Sequence, residues 1–131
     1  MFYEYELEVA ANTLEFNPAT LEIQLVKGTI DHVEVFFPPG CNRLVDVAIW
    51  HSLRQVWPTP PAESFADDNF HLIFSEAHPL SEPPYNLTLL GWSSDTRYSH
   101  TIAFRFGISP IVVPAAPLTL EQLIGTPVSF S

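Results

Sequence analysis

The segment YEYELEV, residues 3–9, alternates an apolar or aromatic side chain with a glutamate at every step. Successive side chains of a strand point to opposite sides. Tyr3, Tyr5, Leu7 and Val9 therefore share one face, and Glu4, Glu6 and Glu8 share the other. The segment reads as a half-buried strand with a solvated face. The glutamates also discourage the addition of another strand along an exposed edge.

The same period of two runs through most of the chain. LEIQLV (21–26) directs Leu21, Ile23 and Leu25 inward, and TIDHVEVFF (29–37) sets Val33, Val35 and Phe37 against His32, Glu34 and Phe36. Pro38-Pro39-Gly40 ends that segment, because proline has no N–H for a ladder and a Pro-Gly pair favours a turn. RLVDVAIW (43–50) groups Val45, Val47 and Ile49. FHLIFS (70–75) groups Phe70, Leu72 and Phe74. YNLTLLGW (85–92) turns Tyr85, Leu87 and Leu89 inward, and HTIAFRFGI (100–108) does the same for Ile102, Phe104, Phe106 and Ile108. Residues 57–69, WPTPPAESFADDN, and 76–84, EAHPLSEPP, are predicted to be loops, and SSDTRY (93–98) a hairpin-like connection. No helix-period segment of ten residues occurs before residue 115. Seven or eight short strands with regularly spaced turn signals predict an all-β domain over residues 1–108. The expected form is an antiparallel β-sandwich, jelly-roll or immunoglobulin-like, with a closed barrel as the alternative.

A chain of 131 residues suits one domain with a single core. Hydrophobic residues make up 47% and charged ones 15%, which excludes generic disorder and leaves few charges to cover the surface. Such a surface suggests contact with partners. The formal net charge of −10 opposes binding to nucleic acid or to an anionic membrane. The single cysteine, Cys41, rules out an intrachain disulfide framework. MFYEYELEV has neither a basic n-region nor an apolar h-region, and no run of about 18 apolar residues follows. The expectation is a protein made in the cytoplasm, without signal peptide or membrane helix. Asn86-Leu87-Thr88 fits a glycosylation sequon but reads as a chance match inside a strand.

Residues 109–131, SPIVVPAAPLTLEQLIGTPVSFS, break the alternation. Pro110, Pro114 and Pro117 stiffen an apolar, extended segment, and Glu121 is the only charge between residues 106 and 131. Thr119 with Gln122 resembles a capping box, and Gly125 can end the turn, which predicts a short helical turn at about 119–124. We read 109–131 as an apolar, proline-rich C-terminal arm. Its expected anchors are Ile111, Val112, Val113, Leu118, Leu120, Leu123, Ile124 and Phe130. The arm lies either on a neighbouring subunit or larger assembly, or back over its own sandwich.

Motifs for chemistry are sparse. His32, His51, His71, His78 and His100 form no HExxH or closely spaced ligand pair. His71 with Asp67 and Asp68 is the one grouping that suggests a small metal-dependent enzyme. Cys41 lacks a nucleophile signature, and no GxSxG or glycine-rich phosphate loop exists. Aromatic residues are the stronger signal. Trp57, in a proline-rich loop, is expected to be partly exposed, and with Tyr85 and Trp92 it forms a candidate ligand-stacking set for a carbohydrate-binding module. Trp50 and Trp92 otherwise complete the core or cap its ends.

In layout, a small acidic sandwich with a terminal apolar arm resembles the phage capsid decoration proteins. That resemblance implies a non-enzymatic structural protein with no cofactor. Such a protein self-associates, for example as a trimer, and binds a larger shell such as a virion through its arm.

Overall fold

The structure, a computed structural model, describes residues 1–59 and 63–110. Within them the chain forms β1 (Phe2–Val9), β2 (Ala19–Gln24), β3 (Gly28–Phe37), β4 (Val45–His51) and β5 (Arg54–Trp57). β6 (Phe70–Phe74), β7 (His78–Leu80), β8 (Asn86–Ser93) and β9 (His100–Ser109) follow. The described residues contain two antiparallel sheets. One runs β1-β9-β3-β6 with β7 also beside β3, and the other runs β2-β8-β4-β5.

β9 occupies one edge of β3, so β6 and β7 must share the other. β6 covers Val33–Phe37 and β7 covers Gly28–Ile30. Taken together as one interrupted edge strand, they leave eight strands whose connections cross between the sheets, except for the β4–β5 hairpin. This is the strand order of a jelly roll, a double-sheet arrangement of two Greek keys. The segment 93–98 accordingly differs from the hairpin expected of it. It carries the chain from β8 in the second sheet to β9 in the first. β5 and β7 were not expected as strands, because both abut or contain proline. Pro79 is accommodated in β7 because an edge strand can leave one side of its backbone unpaired.

The expected alternation holds along most of the strands, although Phe70, at the start of β6, is exposed where Leu72 and Phe74 are half-buried. Leu7 and Val9 are buried while Glu4, Glu6 and Glu8 are exposed. Val33, Val35, Phe37, Val45, Val47, Ile49, Leu87, Leu89, Ile102, Phe104 and Phe106 pack into one core between the sheets. Each large side chain removed from water contributes roughly 1.5–3 kcal/mol, against the conformational entropy that folding costs.

One departure from strict alternation is informative. Ile30 and Val33 are both fully buried although three residues apart. A regular strand would send them to opposite faces. Between Ile30 and His32 the register against β9 shifts, so a bulge at Asp31 absorbs the extra residue and returns Val33 to the core. The Asp31 carboxylate accepts a hydrogen bond from the Ser109 hydroxyl, tying the bulge to the end of β9.

Gly91 lies on the inward face of β8. A Cβ there would stand 2.7 Å from Val9 Cγ2 and 3.1 Å from Leu7 Cδ2. Both neighbours are buried and have little room to yield. Gly91→Ala should therefore cost about 1–3 kcal/mol through overpacking. Urea unfolding will show it, and Val9→Ala in the same chain should recover part of the loss, a favourable coupling between the two sites.

Candidate functional site

The residues expected to carry an arm, Ile111, Val112, Val113, Leu118, Leu120, Leu123, Ile124 and Phe130, lie outside the described residues. The aromatic set can be followed directly, and its three members do not converge.

Trp57 corrects the expectation of an exposed ring, being only 1% exposed. The pairing of β4 with β5 shifts register after Ile49, so that Trp57 stands opposite Ile49 while Gln55 stands opposite Trp50. That irregularity turns Trp57 inward with Ile49. The indole packs edge-on to Phe74 at 5.8 Å and to His78 at 5.5 Å, closing the side of the sandwich between β5 and the β6–β7 edge. Proline after Trp57 ends the strand but does not expose its last side chain.

Tyr85 is half-buried against the core just before β8, and Trp92 is half-buried near the other end of that strand. Seven residues separate them, about 23 Å of extended chain, and their odd spacing puts them on opposite faces of the sheet. They cannot stack on one small ligand.

The structure instead brings Trp92 into a groove with Trp50. On the outer face of the second sheet, Asp46 pairs with Trp92, Ala48 with Leu90 and Trp50 with Thr88. The two indoles thus stand at opposite ends of a floor made by Ala48 and Leu90. Their positions lie four residues apart along the strands, about 13 Å. Glu15, Pro18, Gln55 and Glu63 complete a groove of about 350 Å³. Gln55 Nε2 donates to the carbonyls of Pro58 at 2.7 Å and Glu63 at 3.0 Å, which fixes one wall. At the Trp92 end, Asp46 accepts a hydrogen bond from Ser64 Oγ at 3.0 Å. Burial pushes the Asp46 carboxyl above its ordinary range, against that bond. The outward direction of Trp50 was implicit in the sequence, whereas its meeting with Trp92 depends on the pairing of β4 with β8. If Val45, Val47 and Ile49 face inward, Ala48 and Trp50 must face out.

A second cluster lies on the outer face of the first sheet. Glu34 accepts from His32 Nε2 and His71 Nε2, each at 2.6 Å, through different carboxylate oxygens. Arg105 lies between Glu34, at 3.7 Å, and Glu4, at 3.4 Å. The His32 bond, then that of His71, holds the Glu34 carboxyl below its ordinary range despite opposing burial. Phe2, Phe36 and Ile73 surround this charged centre and are exposed.

His71 therefore does not meet Asp67 and Asp68, the partners suggested by their closeness in sequence. Asp68 Oδ1 accepts from the backbone N–H groups of Gly40, at 3.0 Å, and Asn42, at 2.7 Å, clasping two loops. Asp67 Oδ1 accepts from the Asp68 N–H at 2.8 Å. Among the described residues no three His, Cys, Asp or Glu side chains are arranged to hold a metal ion. Cys41 is buried in the core, and burial, with Asp68 and Asp95, pushes its thiol up to about 11. Thiolate, the reactive form, is scarce there at neutral pH.

Behind Trp57 lies a histidine pair. His51 Nε2 is 3.1 Å from the Pro84 carbonyl, which can only accept, so that nitrogen carries the proton. In neutral His51 the Nδ1 atom is then an acceptor, and His78 Nε2 donates to it at 3.1 Å. Burial first, then His51, lowers the pKa of His78 from 6.5, opposed by Glu76.

No family model matches the chain, and no curated protein sequence matches it.

The His51–His78 pair makes stability depend on pH in a definite direction. A depressed histidine pKa means that the folded state favours the neutral ring. Its contribution is complete above about pH 6.5 and is lost as pH falls through the lower folded value. The melting temperature should fall between pH 7 and pH 5. In His78→Phe, which keeps a ring beside Trp57, that part of the fall should disappear.

Proposed function

We propose that the chain is a non-enzymatic structural module that self-associates and attaches to a larger protein assembly, such as a virion shell, through residues 110–131. The observation that supports this reading most is where that segment begins. It leaves from β9, an interior strand paired along its length with β1 on one edge and β3 on the other. A load applied at residue 110 is therefore carried by two hydrogen-bonded ladders and by the core side chains Ile102, Phe104 and Phe106. An arm on an edge strand could be peeled away one bond at a time, whereas one rooted in β9 cannot.

The composition of the segment agrees with this role. Its apolar side chains have little reason to stay in water, and burying several at a contact offsets the entropy of ordering an extended chain. The described residues before it already supply the eight-stranded order of the jelly roll, so attachment and folding can be separate functions of one chain. Steep acidity adds a constraint: copies with a net charge of −10 repel one another. Association must therefore rest on apolar contact and should strengthen with added salt.

The full chain should form a discrete oligomer in light scattering behind size-exclusion chromatography. Deletion of residues 110–131 should give a monomer with an unchanged far-ultraviolet spectrum. Leu120→Asp or Leu123→Asp in the full chain should weaken association by tenfold or more. A truncated chain that assembles as the full chain does would defeat the proposal.

A further inference from the structure

The groove lies on the outer face of the second sheet, on the side opposite the core between the sheets. The inward faces of β4 and β8 are already filled by Val45, Val47, Ile49, Leu87 and Leu89. Trp50 and Trp92 are mounted on the opposite faces of those strands, each half-buried. A large ring left in contact with water on both members of a strand pair is an unusual use of tryptophan, whose apolar surface favours burial. Between them Ala48, the smallest side chain that could stand there after glycine, lowers the floor and makes a trough.

The chemistry of the trough narrows its occupant. Among the described residues its lining includes the carboxylates of Glu15 and Glu63 and no lysine or arginine. A phosphorylated or acidic ligand would meet like charge on a chain already at −10. A compact organic cation would need aromatic faces gathered round it. The two tryptophans are anchored four residues apart along the strands, about 13 Å between backbone positions, and their rings form no aromatic pair that would cage a single small group. What fits is an extended, uncharged ligand with flat apolar faces at intervals and hydroxyl groups along its sides. A pyranose ring has that character: its C–H face stacks on an indole while its hydroxyls donate to carboxylate and amide oxygens. Glu15, Glu63 and Gln55 supply such oxygens along the trough.

The geometry points to a binding site for a neutral oligosaccharide, with Trp50 and Trp92 stacking on separate sugar rings of one chain. The site is rigid where it matters. Both indoles sit on interior strands of their sheet, and Gln55 ties the far wall to β5 through its two bonds to the Pro58 and Glu63 carbonyls. The proposal is independent of residues 110–131, and either can fail without the other.

Tryptophan emission is a direct readout, because Trp57 is buried and only Trp50 and Trp92 can meet a ligand. The full chain is titrated with neutral hexaoses of glucose, xylose, mannose and N-acetylglucosamine, followed by emission and by calorimetry. At least one should bind saturably and shift the emission. Trp50→Ala and Trp92→Ala should each weaken it by tenfold or more, while Tyr98→Ala, an exposed ring elsewhere, leaves it unchanged. Should an alanine variant fail to fold, Trp50→Phe and Trp92→Phe keep a stacking face and should retain part of the affinity. The matching disaccharide, too short to reach both rings, should bind more weakly and lose sensitivity to one of the two variants. Silence across the panel at millimolar sugar overturns the proposal, as does binding that ignores both substitutions. Silence together with indoles shielded from acrylamide in an oligomeric chain would assign the trough to contact between copies instead.

Discussion

β9 bears two demands at once, and the rest of the sandwich is arranged to meet them. Both of its backbone edges are satisfied by neighbours, β1 and β3. Its inward face supplies Ile102, Phe104, Phe106 and Ile108, the largest aromatic contribution to the core from any one strand. A strand so placed cannot shift register by one residue without turning all four side chains away from the core and burying Thr101, Ala103 and Arg105. The register of β9 therefore sets that of β1 and β3. The bulge at Asp31 is where β3 adjusts to it.

The strands were legible because burial imposes a period of two, and the long strands obey it apart from the bulge at Asp31 in β3. Where that period fails, the reading failed too, for three distinct reasons. β7 lies wholly, and β5 by its last residue, in segments whose prolines announced loops, while the sheet edges recruited both as short strands. The 93–98 segment contains the residues of a tight turn, and Asp95 does organise it, accepting from the Arg97 and Tyr98 N–H groups and from His100. Yet which sheet the next strand joins is decided by packing across the core, a nonlocal matter. Trp57 was misplaced because proline governs the backbone that follows it and says nothing about where the preceding side chain points.

The candidate sites illustrate the same limit. Trp50 and Trp92 lie 42 positions apart, and only antiparallel pairing with offset register makes them the two ends of one trough. Likewise Glu34 gathers His32 from its own strand but His71 from β6, an association set by the ladder that places Phe36 opposite His71. Parity within a strand gives the face. Partners across strands require topology. The two outer faces consequently differ in character. One centres on a charged network of glutamates, histidines and Arg105, the other on indoles over a small apolar floor.

The pairing of β1 with β9 joins residues about a hundred positions apart, and this has a consequence for how the chain comes into being. Synthesis runs from β1 onward at about 5–20 residues per second, so β1 must wait roughly 5–20 seconds for the strand that completes it. During that interval its backbone is unpaired and Tyr3, Tyr5, Leu7 and Val9 have no core to enter. Alternating glutamates give the nascent segment a dense negative charge while it waits. Glu6 and Glu8 make no ion pair among the described residues of the finished fold. Their physical effect is then greatest before folding is complete, when mutual repulsion keeps growing chains on neighbouring ribosomes from pairing with one another.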